Sequence, residues 1–172
     1  MSRYLSLWPW IVSMAVIIVA SNILVEIPIN SYLVWGTLTF PLAFLVTDLT
    51  NRRHGAASAR VVVYCGFAVG IAASLYFADT RIALASGTAF LVAQLFDVAV
   101  FDRLREQTWW IAPLISSILS TVLDTLLFFS LAFYGTEVPW TGYILGELVV
   151  KWSVALLALG PYALLMSRRA SA

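Results

Sequence analysis

Long runs without a single charge decide what this chain can be. Residues 4–25, 27–47 and 61–78 contain no Asp, Glu, Lys or Arg. Each is long enough to approach or cross the ~30 Å hydrocarbon core of a bilayer as a helix rising 1.5 Å per residue. Of the 172 residues, 62% are hydrophobic and 11% charged, whereas a soluble domain is roughly 45–50% apolar and ~25% charged. A soluble enzyme and a disordered chain are both excluded by that balance, and mean hydropathy is +0.93. Six spans of ~20 residues use ~120 residues and leave about fifty for loops and tails. The expectation is therefore an all-α integral membrane protein whose residues 1–172 form a single six-helix transmembrane domain. Its first partner is the lipid bilayer. Net charge is only +1 with no basic run, so nucleic acid is not a partner.

The predicted spans are about 8–27, 33–49, 61–78, 82–101, 109–133 and 141–166. The first is too long for a signal-peptide core and lacks a convincing cleavage site, so it is read as retained. Pro28, Asn30 and Ser31 supply turn chemistry before the second. The polar stretch DLTNRRHGAASAR is the clearest loop, and Asp79 to Arg81 form a tight turn. An even number of spans puts both termini on one side. Eight of the ten basic residues fall there: Arg3, Arg52, Arg53, Arg60, Arg103, Arg105, Arg168 and Arg169. Arg81 lies opposite and Lys151 lies inside a span. The positive-inside rule then makes both termini cytoplasmic. Trp8, Trp10, Trp35, Trp109, Trp110 and Trp140 sit near span ends, where indole rings anchor. A short echo between AQLFDVAVF and STVLDTLLF is too brief to establish a repeat.

Ionisable groups inside a span cost ~2.5–3.5 kcal/mol each on insertion scales, so they face a cavity or a partner. Counting 1.5 Å per residue, Asn22, Asp124, Glu147 and Lys151 share a layer between the bilayer midplane and its outer third. Glu26 lies a turn above Asn22. Tyr143, Glu147 and Lys151 recur at i, i+4, i+8, and Ser117, Ser120, Thr121 and Asp124 form a stripe on the fifth span. Phe90, Gln94 and Asp97 align on the fourth. Convergent polar faces suit a ligand cavity, while a purely structural role, with Lys151 and Glu147 neutralising each other, stays open. Toward the cytoplasmic ends, Asp48, Arg52, Asp97 and Arg103 are read as an inner gate or as ion pairs between helices. His54 is isolated and Cys65 is the single cysteine, so neither a disulfide nor a metal site is expected, and no cofactor. No nucleophile triad or phosphate loop appears, so no catalytic residue is assigned.

The segments SNILVEIP, WGTLTFPLAFLVTDLTNRRHG, RIALAS, AQLFDVAVFDRLREQTWWIAP and LDTLLFFSLAF, with a following E-x-x-x-K and GPY, together resemble the bacterial queuosine precursor transporters of the vitamin uptake transporter group. The likeness runs from Ser21 to Tyr162. It implies a six-helix importer, related to vitamin-binding membrane subunits, of the 7-deazaguanines preQ0 and preQ1 salvaged for queuosine in tRNA. Carried over by motif, the substrate-binding residues are Asn22, Gln94, Asp124, Glu147 and Lys151. Asp124 or Glu147 would meet the ring's N1–H and amine, and Lys151 or Asn22 its carbonyl. Glu26, Trp35, Tyr76 and Tyr143 are candidates for lining or stacking. Two features depart from the family pattern: the loop between the third and fourth spans is only about ADTR, and Glu26 stands where an amide can occur.

Two other readings compete with a solitary transporter, and a homodimer is compatible with all three. A substrate-binding subunit of an ATP-driven importer would need a small-residue docking surface, for which HGAASAR is the one weak candidate. A non-transporting scaffold would bind no purine.

Overall fold

The computed structural model describes residues 2–30, 33–77 and 79–167. Seven helices account for most of them: α1 (Ser2–Leu24), α2 (Trp35–Thr39), α3 (Leu42–His54), α4 (Ala56–Phe77), α5 (Thr80–Leu104), α6 (Ile111–Phe133) and α7 (Thr141–Ser167). Five of them, α1, α4, α5, α6 and α7, are long and apolar enough to cross a membrane. Leu145, Val149, Leu156, Leu157 and Leu164 are exposed along α7. Lipid is the solvent that suits such a surface, because it does not penalise exposed hydrocarbon and backbone polar groups are satisfied within each helix.

Helix α3 sits at the centre and touches α1, α4, α5, α6 and α7. Around it Met14, Ile18, Ala43, Val46, Val62, Val63, Phe90 and Val98 form one apolar core, and Leu49, Phe101, Ala112 and Tyr162 a second. Small residues permit the close approaches. A β-carbon on Gly36 would stand 3.1 Å from the Ser21 carbonyl oxygen and from Val25, so α2 lies against α1 nearly backbone to backbone.

The second predicted span, 33–49, is not one helix. It is split into α2 and α3 at Phe40 and Pro41, because proline has no N–H to continue the ladder and its ring crowds the preceding turn. The Phe40 N–H still closes on the Gly36 carbonyl at 2.9 Å, and the helix restarts immediately after the proline. The loop expected at 48–60 is also corrected. Asp48, Thr50 and Asn51 are buried within α3, where Thr50 donates to the Val46 carbonyl at 2.7 Å and Asn51 to the Val98 carbonyl of α5 at 3.1 Å. Neighbouring helices satisfy these side chains, so their polarity does not end the helix. The connection to α4 is Gly55 alone, at φ +82°, a conformation that favours glycine. On the opposite side Asp79 caps α5, accepting the Ile82 N–H at 3.0 Å. Ser31 of the expected turn, and Arg168 and Arg169 of the topology count, lie outside the described residues, as does the side chain of Arg3.

Candidate functional site

Helices α1, α2, α4, α5, α6 and α7 enclose a cavity of about 180 Å³, room for roughly a dozen water-sized groups at ~10–15 Å³ each. Its polar focus is Lys151 of α7, which is almost wholly buried. The ammonium donates to Asp124 Oδ2 at 2.9 Å and to Thr125 Oγ1 at 2.9 Å. One turn before it on α7, Glu147 Oε1 lies 2.7 Å from the same nitrogen. The i, i+4 spacing puts acid and base on one face, and the stripe on α6 brings Asp124 and Thr125 against them. Lys151 is 5.7 Å from the centre of the Phe40 ring, so the ring's face adds a further favourable contact.

A lysine carries three N–H donors, and these contacts employ all of them. Asp124 and Glu147 each keep a second oxygen, to which no other described side chain bonds. With Glu26 also on the wall, acids outnumber bases three to one around the cavity. Such a space favours a ligand rich in N–H donors.

Asn22 lines the opposite wall and is held firmly: its amide nitrogen donates to the Ile18 carbonyl at 2.9 Å and its oxygen accepts from Ser74 of α4 at 2.8 Å. Ser21 donates to Thr39 at 3.0 Å, tying α1 to α2. Of the residues singled out from sequence, Asn22, Glu26, Asp124, Glu147 and Lys151 line one cavity. Gln94 does not. It is buried deeper in the bundle, where Thr47 donates to its Oε1 at 2.6 Å. Trp35 is 47% exposed and Tyr76 84% exposed, and neither they nor Tyr143 line the cavity. The aromatic walls are Phe40 and Phe128. They, with Thr37, Ser74 and Ser86, were not anticipated. Phe40 had one legible signal, its place before Pro41.

The inner residues also differ from expectation. No ion pair joins Asp48, Arg52, Asp97 and Arg103 among the described residues. Arg52 instead donates to the Tyr162 hydroxyl at 3.0 Å and to the Arg105 carbonyl at 2.5 Å, lying over the Phe101 ring at 5.4 Å. Arg103 is exposed. Asp102 pairs with Arg105 at 3.2 Å. Of the small residues of HGAASAR, Ala56 to Ala59 belong to α4, and Ser58 and Ala59 are buried there, so that stretch offers little docking surface.

A family model described as "Putative vitamin uptake transporter" matches residues 34–79 and 72–166. The chain is 40% identical to a "Probable queuosine precursor transporter" of Haemophilus influenzae, with 72% of this chain and 68% of that protein covered. It is 37% identical to the "Queuosine precursor transporter" of Escherichia coli, covering 69% of this chain and 64% of that one. A "Probable queuosine precursor transporter" of Bacillus subtilis is 27% identical, over 74% and 69% of the two chains. No solved structure matches significantly.

Proposed function

This chain belongs to the vitamin uptake transporter family, is a transporter and not an enzyme, and on that premise we propose that its cavity carries the 7-deazaguanines preQ0 and preQ1 into the cell. The observation that supports this reading is the Asp124, Lys151 and Glu147 group at the cavity wall. A deazaguanine presents an N1–H and an exocyclic amine side by side, and the free oxygen of Asp124 suits that edge. The ring carbonyl needs a donor, for which the remaining N–H of the Asn22 amide is available. The aminomethyl group of preQ1 is cationic and suits Glu147 or Glu26, and the flat ring suits Phe40 or Phe128.

The accompanying topology is six spans in one domain of the bacterial inner membrane, α2 and α3 together forming the second. Both termini and the Gly55 connection face the cytoplasm. A cysteine at position 56 is expected to resist an impermeant thiol reagent added to intact cells, and its labelling from outside would refute the orientation.

Uptake of radiolabelled preQ1 into liposomes containing only this chain tests the function. Uptake that unlabelled preQ0 suppresses and adenine does not is expected, because adenine offers an acceptor where the guanine type offers the N1–H donor. Equal competition by adenine would overturn the carboxylate-recognition scheme. Dependence on an added ATP-hydrolysing partner would favour the subunit reading.

A further inference from the structure

A second polar cluster lies inside the bundle, eight residues along α6 from Asp124, about 12 Å at 1.5 Å per residue. Asp48 of α3 and Asp97 of α5 meet there, both almost completely buried. Ser116 and Ser117 of α6 donate to the two Asp48 oxygens at 3.3 Å each. Asp97 faces Asp48, Ser116 and Ser120, yet neither of its oxygens makes a hydrogen bond of normal geometry. The fully buried Ser120 hydroxyl, turned toward Asp97, is also without a partner, as is the amide nitrogen of Gln94 one turn away.

The groups that face the acids from neighbouring elements are hydroxyls: Ser116, Ser117 and Ser120 from α6 and Tyr162 from α7. The cations at this end, Arg52 and Arg105, bond to the Tyr162 hydroxyl, to the backbone carbonyls of residues 51, 52 and 105 and to Asp102, and the one buried guanidinium nitrogen of Arg52 left over, Nη2, bonds to neither acid. No ion pair reaches Asp48 or Asp97 among the described residues. Two desolvated carboxylates side by side with only hydroxyls around them lack the positive charge that buried acids require. One proton placed between the acids supplies the missing donor: the protonated oxygen of one donates to an oxygen of the other.

We propose that Asp48 and Asp97 form a proton-binding site that loads from one side of the membrane and empties to the other, coupling substrate movement to a proton. The step is a protonation alone: a carboxylate becomes a carboxylic acid and returns the same proton on release. Beside Asp48 a small space of about 10 Å³, bounded by Pro41, Pro113, Ser117 and Tyr162, is the size one water needs, and the Tyr162 hydroxyl on its wall accepts from Arg52. On the other side Thr47 and Gln94 follow each acid's own helix toward the cavity, with the Phe40 and Phe90 rings, 6.0 Å apart, between. The coupling role rests on the transport reading, but proton binding does not.

The test therefore has two arms. Infrared spectroscopy of the purified protein should show a protonated carboxylic acid C=O band that titrates with pH and is lost in both Asp97→Asn and Asp48→Asn. A band unchanged by both substitutions, or none in the wild type at any pH, would overturn the proton site. In liposomes with the membrane potential clamped, an outward-acid gradient of one pH unit should drive up to about tenfold accumulation of neutral preQ0 if one proton accompanies each molecule. Asp97→Asn should lose that accumulation while the purified variant still binds preQ0, since Asp97 lies outside the cavity. Undiminished accumulation by Asp97→Asn, or accumulation driven by a sodium gradient alone, would overturn the coupling. If the wild type binds no preQ0, the substrate reading fails while the infrared arm still decides the proton site.

Discussion

The cavity and the inner acid pair are both built from carboxylates on neighbouring helices, and they differ in what stands between the acids. In the cavity Lys151 lies within hydrogen-bonding distance of Asp124 and Glu147. In the inner cluster Asp48 and Asp97 meet directly, with serine hydroxyls beside them and no cation between. At 4 Å two like unit charges repel by about 4 kcal/mol at an effective dielectric of 20. A permanent cation removes that repulsion for good and leaves spare acceptors pointing at a ligand. A cluster without one is completed only by a charge that arrives from outside. The same residue type thus serves recognition in one place and exchange in the other.

The comparison breaks most readily at Lys151. Lys151→Met strips the cation from two acids, one of them nearly inaccessible. Losing one partner of a buried pair costs about 3–5 kcal/mol, so a large fall in thermal unfolding temperature in detergent is expected, with substrate binding abolished. Adding Asp124→Asn to Lys151→Met should restore part of the stability. A single variant as stable as wild type would mean that the lysine does not hold the acids together.

A smaller effect is expected from Asp124→Asn, which keeps volume but turns an amide donor toward the ligand's own donors. Binding of preQ1, followed by calorimetry, should weaken by roughly 1.5–3 kcal/mol, about tenfold to a hundredfold. Glu147→Gln should cost less, because the Glu147 side chain is 17% exposed and its charge is partly screened. The reverse order would transfer the ring-binding role to Glu147.

Ser74→Ala should have the mildest consequence of these four substitutions. It removes the hydroxyl that holds the Asn22 oxygen at 2.8 Å, a bond worth roughly 0.5–1.5 kcal/mol. A loss of a few-fold in preQ1 affinity with unchanged unfolding temperature would show that Asn22 acts by being oriented. No loss would reduce Asn22 to wall.

Charge-free runs and turn residues made the five long helices legible in the amino-acid sequence, because hydrophobic length is a property of each segment alone. The helical spacing of Glu147 with Lys151, and the shared depth of both with Asp124, could be counted for the same reason. Where side chains meet across helices, counting stopped. Gln94 shares a face with Asp97 on α5, and nothing local says that this face turns toward Thr47 and away from the cavity. Asp48 stands four residues before Arg52, which invites an ion pair, yet Arg52 turns to Tyr162, 110 residues away. The break at Phe40 and Pro41 also needed the surrounding helices, since proline permits a kink or an end without choosing between them. Periodicity assigns each helix its faces, whereas the rotation of one helix against another is set by ridges, glycines and packing on several neighbours at once. The sequence by itself therefore determined the all-helical membrane class, the polar layer and the family likeness. Only the tertiary structure decided that Lys151 joins Asp124 to Glu147, and that Asp48 and Asp97 face each other without a cation.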